Sequence, residues 1–332
     1  MKQKIILSVI AILLICISVC FTIFIPNVKN KEGIENKFLN EKSDYQGVLT
    51  CWNIDTFESG TKSKKSFLEK IAIDFEKENR GLYLLVKNIT IEECLLQLNN
   101  GNKPNLISFG DGLYPFINKY LSKIKTDVKV KNIVEKFIKE QKTVPWCFGF
   151  YALISTEEKL KLSGNSAENG LSKIIDNCAY TKQLKRSTKN ISSYVYGGSG
   201  YTGIQSVLNR ISSDVKDSNY TFFEAYEKFI NGDASILCGT QRDIVRMENR
   251  VAIGKINDYV YECIYDYTDL VQQVGLISSG NDLVDEYAYK FIKYLLSDKV
   301  QTAIGEIGLL ATKSGIDATG ENLIDKLSIK FT

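Results

Sequence analysis

Residues 47–112 read GVLTCWNIDTFESGTKSKKSFLEKIAIDFEKENRGLYLLVKNITIEECLLQLNNGNKPNLISFGDG. Within them, short apolar runs alternate with amphipathic ones. Residues 47–52 read as a buried strand that gives way to a polar loop over 53–65. Phe67, Leu68, Ile71 and Phe75 then recur at helical spacing, which predicts a helix over 67–79 with Gly81 just past its end. Residues 82–87 form the next strand, 90–99 a helix ending before Gly101, and 105–109 a third strand running into Gly110-Asp111-Gly112. Strand–helix–strand–helix–strand order implies an α/β fold on a parallel sheet with right-handed crossovers.

The pattern continues outward. Val144-Pro145-Trp146 leads an apolar run to residue 153, and 191–196 and 234–238 read as strands. Helices are predicted over 203–211, 222–230, 241–248, 287–296 and 299–304, with a strand over 274–278. At 332 residues the chain is long enough for about two domains.

Composition narrows the chemistry. The net charge is +3, of which Lys2 and Lys4 supply two, and no basic block of the kind that binds a duplex occurs, so nucleic acid is not expected as a partner. No histidine is present, which excludes His-zinc sites and every nucleophile system built on imidazole. Arg242, Arg246 and Arg250 lie within nine residues of one another, which gives that stretch weight for anion recognition.

Residues 5–25 form an uncharged apolar run closed by Pro26. It matches the roughly 20 residues of a spanning helix and exceeds a secretory core of about 7–15. With Lys2 and Lys4 before it, the remainder is expected outside the membrane. Residues 1–26 are read as a signal or anchor, and the polar stretch 27–44 as a spacer. Ile17-Ser18-Val19-Cys20 resembles a lipobox, so lipidation at Cys20 is the alternative to an uncleaved anchor. Cys51, Cys94, Cys147, Cys178, Cys238 and Cys263 are spread singly without a CxxC pair. Buried free thiols are favoured there, with a bridge left open and no metal site expected.

Five segments in collinear order resemble the extracellular solute-binding proteins of ABC importers, of the type that includes maltose- and oligosaccharide-binding proteins. They are the strand ending at Trp52 with the helix closing on Phe75-Glu76-Lys77-Glu78-Asn79; residues 99–107, where Asn105 replaces the usual aspartate; residues 143–153; residues 229–237; and residues 289–310. The resemblance implies a two-lobe, periplasmic-binding-protein-like (type II) fold with hinge crossovers. Lobe one would comprise 45–143 with 275–311 and lobe two 144–274 with 312–332, with hinges near 143–145 and 274–278. It further implies a non-catalytic monomer without cofactor, which binds a small solute, a sugar or oligosaccharide first, and delivers it to permease subunits. A surface sensor of the same fold is the alternative.

Ligands of open parallel sheets bind beyond the carboxyl ends of strands, which selects Trp52, Asp55, Glu58, Asp111, Tyr114, Trp146, Ser199, Tyr201, Gln241 and Arg242 as the binding set. Flat rings beside carboxylates, an amide and hydroxyls suit a polyhydroxylated ligand. Structural alternatives stand beside several of them: Trp52 and Trp146 as core residues, Asp111 as a helix cap or turn residue, and Arg242 with Asp243 as a solvated helix start, with Tyr201 open to either reading. Residues 198–203 (GSGYTG) also fit GxGxxG, which leaves a nucleotide-dependent enzyme as a third reading.

Overall fold

The computed structural model describes residues 45–124, 129–162, 164–177, 181–183, 190–198, 200–212, 215 and 218–316. The segment 1–26 with Cys20, the spacer 27–44, Cys178, Ser199 and residues 317–332 lie outside the described residues. The strands in chain order are β1 (Gly47–Ile54), β2 (Leu82–Asn88), β3 (Leu106–Gly110), β4 (Thr143–Phe148), β5 (Tyr151–Ser155), β6 (Thr181–Gln183), β7 (Asn190–Tyr196), β8 (Ala234–Thr240), β9 (Val260–Ile264), β10 (Val271–Leu276) and β11 (Leu310–Ala311). They form two sheets, ordered β11-β4-β10-β3-β1-β2 and β6-β7-β8-β5-β9. Each sheet is the centre of one lobe.

The longer helices are α1 (Lys64–Glu78), α2 (Ile91–Asn99), α3 (Ile204–Ile211), α4 (Phe222–Ile230), α5 (Gln241–Ala252) and α6 (Asp282–Leu295). Helix α1 starts where Ser63 Oγ accepts from Ser66 N, and it buries Phe67, Leu68, Ile71 and Phe75, the stripe its periodicity predicts. Phe75 meets Phe291 of α6 edge to face at 5.3 Å, so α1 and α6 share one core. Helix α2 covers the other face of the sheet, capped by Thr90. Helices α4 and α5 each open on a capping box, Thr221 with Glu224 and Thr240 with Asp243.

Strand pairing moves the lobe boundary from where the sequence puts it. β4 pairs with β10 along its length, from Gly275↔Thr143 to Val271↔Phe148, so residues 143–148 and 271–276 both belong to the first sheet. The chain therefore crosses at Gly149–Phe150 and over 265–270, not at 143–145 and 274–278. Thr312 also stays with the first lobe: its Oγ1 donates to Pro145 O at 2.7 Å and its N–H to Gln301 Oε1 at 3.0 Å. A buried polar network fixes the order of the central strands. Gln272 Nε2 donates to Asn53 Oδ1, Ile54 O and Ser108 Oγ, and Ser108 Oγ donates to Asn53 Oδ1. A slip of β1, β3 or β10 against its neighbours would break these bonds together.

Cys51, Cys94, Cys147 and Cys238 are buried free thiols. Burial pushes the thiol of Cys51 up to about 12 and that of Cys94 to about 11, so they behave as small core hydrophobes.

Trp146 sits in this core rather than at a lobe junction. It is fully buried, stacked on Phe67 at 6.0 Å with an interplanar angle of 8°, and its Nε1–H donates to Ser108 Oγ at 3.2 Å. Trp146→Ala is expected to cost about 3–5 kcal/mol of stability in a denaturant titration. A loss below about 1 kcal/mol would contradict this placement.

Candidate functional site

The lobes meet where strands from both sheets end. β1 runs into residues 55–63 and β3 into the turn Asp111–Leu113, while β7 leads to residues 197–203 and β8 to the start of α5. Between residues 55–64 of lobe one and Thr221, Phe222, Phe223 and Arg242 of lobe two lies a groove of about 570 Å³. Its hydroxyls come from Thr56, Ser59, Thr61, Ser63 and Thr221, its acids are Asp55 and Glu58, and its cations are Lys62, Lys64 and Arg242.

The floor of the groove is organised by a residue the sequence reading missed. Lys64, the first residue of α1, is 1% exposed; its Nζ donates to Phe57 O at 2.5 Å and lies 3.1 Å from Asp55 Oδ1. The ammonium also sits 4.0 Å above the Phe57 ring. A buried ammonium must find such partners, so Lys64 ties the loop after β1 to the start of α1 and aims Asp55. Sequence alone presents it as one of many lysines.

Glu58, Gln241 and Arg242 come together across the lobes. Gln241 is buried; its Oε1 accepts from Phe150 N at 3.1 Å and its Nε2 donates to Glu58 O at 3.1 Å. Arg242 Nη1 donates to Ser59 O at 2.9 Å, and its Nε lies 2.6 Å from Glu58 Oε2. Arg246, one turn further along α5, also reaches Glu58 Oε2, at 3.1 Å. The arginine spacing is visible in the sequence; the carboxylate it meets is not.

A second contact zone brings the turn Asp111–Leu113 against Tyr201. Asp111 accepts from Lys139 Nζ at 3.0 Å and from Gln273 Nε2. Gly112 lies so close to the Tyr201 carbonyl that a Cβ there would overlap it, which accounts for the glycine. The Tyr201 ring rests edge to face on Phe116 at 6.1 Å.

The remaining predicted residues lie elsewhere. Trp52 is half-buried on the sheet face under α2, packed with the cluster of Ile54, Ile89, Cys94 and Leu98. Two residues before the end of β1, strand alternation turns it away from the groove. Trp146 is core, as described above. Tyr114 is buried in the same cluster as Trp52, and burial, then Glu140, raises its phenol.

The GxGxxG match has a local cause. Gly203 N donates to Asp269 Oδ2, and a Cβ on Gly203 would press on that carboxylate and on the Tyr267 hydroxyl. Asp269 Oδ1 in turn accepts from Tyr151 Oη at 2.5 Å. The protein's own carboxylate thus holds the position before α3 that a pyrophosphate would take in a dinucleotide site. Asp269 lies in the second crossing segment, so it fastens the Tyr201 loop to the hinge.

No known family model matches the chain, and no curated protein sequence matches it. Solved structures do share its fold. The GacH receptor of Streptomyces glaucescens, described unliganded and with acarbose, aligns with a TM-score of 0.54 at 15% identity over 85% of each chain. The cyclic alpha-maltosyl-1,6-maltose binding protein from Arthrobacter globiformis aligns with 0.54 at 10% identity over 86% of this chain and 84% of its own. Iron-bound HitA from Pseudomonas aeruginosa aligns with 0.52 at 12% identity over 84% and 92%. The chain therefore has the two-lobe periplasmic-binding-protein fold.

Burial raises the Asp269 carboxyl above its usual value, against the lowering effect of the bonds from Tyr151 and Gly203. The folded protein then holds this proton more readily than the unfolded chain. That share of stability is present at low pH and lost as pH rises through the raised value. Asp269→Asn should remove this slope while Asp243, also raised by burial, keeps its own. It should also cost about 1–3 kcal/mol, because the amide offers only one acceptor to two donors. Thermal melts at several pH values check both; an unchanged slope would reject the assignment.

Proposed function

We propose that the chain is an extracytoplasmic receptor that binds a small polar solute between its lobes and presents the closed form to an importer permease. The observation that carries this reading is the groove itself. Loops from the carboxyl ends of strands in two separate sheets line one space, and the chain crosses between those sheets at a paired hinge. A ligand that touches both sides favours the closed arrangement by its differential affinity for it.

The same fold serves a receptor described with acarbose and a protein described with iron bound, so the solute class is argued from the lining. Five hydroxyl side chains and two carboxylates offer donors and acceptors in number, and Phe223, 56% exposed at the rim, supplies an apolar plane. A carbohydrate suits this combination. With Trp146 in the core and Trp52 half-buried under α2, the stacking surface passes to Phe223. Tethering follows the apolar run 5–25, either as an uncleaved helix or through lipid at Cys20.

A thermal-shift panel of sugars, oligosaccharides, peptides and polar metabolites tests this on the full chain in mild detergent. At 100 times its dissociation constant a ligand adds about 2.7 kcal/mol, a rise of roughly 5 °C or more for a protein of this size. A shift with saccharides that Phe223→Ala abolishes is the expected result. A shift only with peptides or metabolites rejects the carbohydrate class, and turnover of any panel member rejects the receptor reading.

A further inference from the structure

We propose that Glu58 is a closure latch, holding the lobes together through a seat that α5 builds for its carboxylate. The four cross-lobe polar contacts of that corner all land on two consecutive residues. Glu58 Oε2 lies 2.6 Å from Arg242 Nε and 3.1 Å from Arg246 Nη2, Glu58 O accepts from Gln241 Nε2 at 3.1 Å, and Ser59 O accepts from Arg242 Nη1 at 2.9 Å. Hinge opening would break all four at once.

The seat differs from an ordinary surface ion pair because its arginine is held beforehand. Arg246 Nη1 donates to Oδ1 of the buried Asp243 at 2.9 Å, and the guanidinium lies 4.7 Å over the Tyr226 ring. Asp243 is itself fixed by accepting from Thr240 N at 3.0 Å. Arg246 has little side-chain freedom left to lose when Glu58 arrives, which removes part of the entropy cost that offsets exposed pairs. Gln241 links the same corner to the hinge through Phe150 N. The latch therefore couples the rim of the groove to the crossing segment.

All partners in the latch are protein groups, so the inference does not depend on which solute the groove takes, or on whether it takes one. Glu58 remains half exposed, and salt screens exposed charges. Closure should therefore loosen with ionic strength through this residue. Where a ligand selects the closed form, a latch that raises its population raises apparent affinity by the same factor.

Hydrogen exchange by mass spectrometry on the full chain in detergent tests this without ligand. In wild type at low salt, peptides spanning 55–62, 110–116 and 200–203 should be protected, and molar salt should speed their exchange several-fold. Glu58→Gln should show the faster exchange already at low salt and lose most of the salt dependence, while β3 and β10 stay protected in both. Salt-independent exchange of those peptides in wild type would overturn the latch, whatever the variant does. So would identical salt dependence in wild type and Glu58→Gln.

Discussion

The geometry of the groove depends on how the chain passes between its two sheets. It leaves the first through Gly149–Phe150 and returns over 265–270, and the two passages are bonded to each other. Gly149 N donates to Leu270 O at 2.7 Å, and Thr268 Oγ1 donates to Gly149 O at 2.7 Å. A doubled, mutually bonded connection resists sliding and permits bending about one axis. That constraint makes the loop after β1 face the start of α5, and Gly112 face Tyr201, as matched pairs.

Around the hinge, buried polar groups position the loops. Lys64 clasps the turn after β1, Gln241 spans from the hinge backbone to Glu58, and Asp269 joins the crossing segment to β5 and to the loop before α3. Each is a desolvated donor or acceptor whose partners lie on a different element, so a misplaced loop would leave it unsatisfied. Such groups add little net stability compared with apolar packing. Their effect is to allow one arrangement of the groove and penalise its neighbours. The apolar clusters under α1, α2 and α6 carry the stability of the first lobe, and the thiols of Cys51, Cys94 and Cys147 belong with them.

Much of the fold was legible in the residues. The stripe Phe67, Leu68, Ile71 and Phe75, the strands at 82–87 and 105–109, and the helix at 222–230 all occur where hydrophobic period and punctuation place them. Strand β9 escaped notice because Val260–Ile264 is half exposed and lacks clear alternation. The separation of β4 from β5 escaped for the opposite reason: residues 143–148 and 151–155 are buried almost throughout, so periodicity is silent there. Among the site residues, Asp55, Glu58, Asp111, Tyr201, Gln241 and Arg242 do gather at the lobe junction. The two tryptophans do not, because a residue two places inside a strand end points across the sheet and not beyond it.

The sequence by itself determined the α/β class and the order of elements, since those depend on local period, capping and turn chemistry; Thr221, Phe222 and Phe223 line the groove from a stretch whose pattern marks a helix and no site. Tertiary structure alone decided which strands belong to which lobe, which aromatic rings reach the groove, and that Lys64, Arg246 and Asp269 are organising residues. Those facts rest on pairing and desolvation between residues as far apart as Glu58 and Arg246. No local pattern encodes such a distance, and the free energy of a buried charge is set by the partner it meets there.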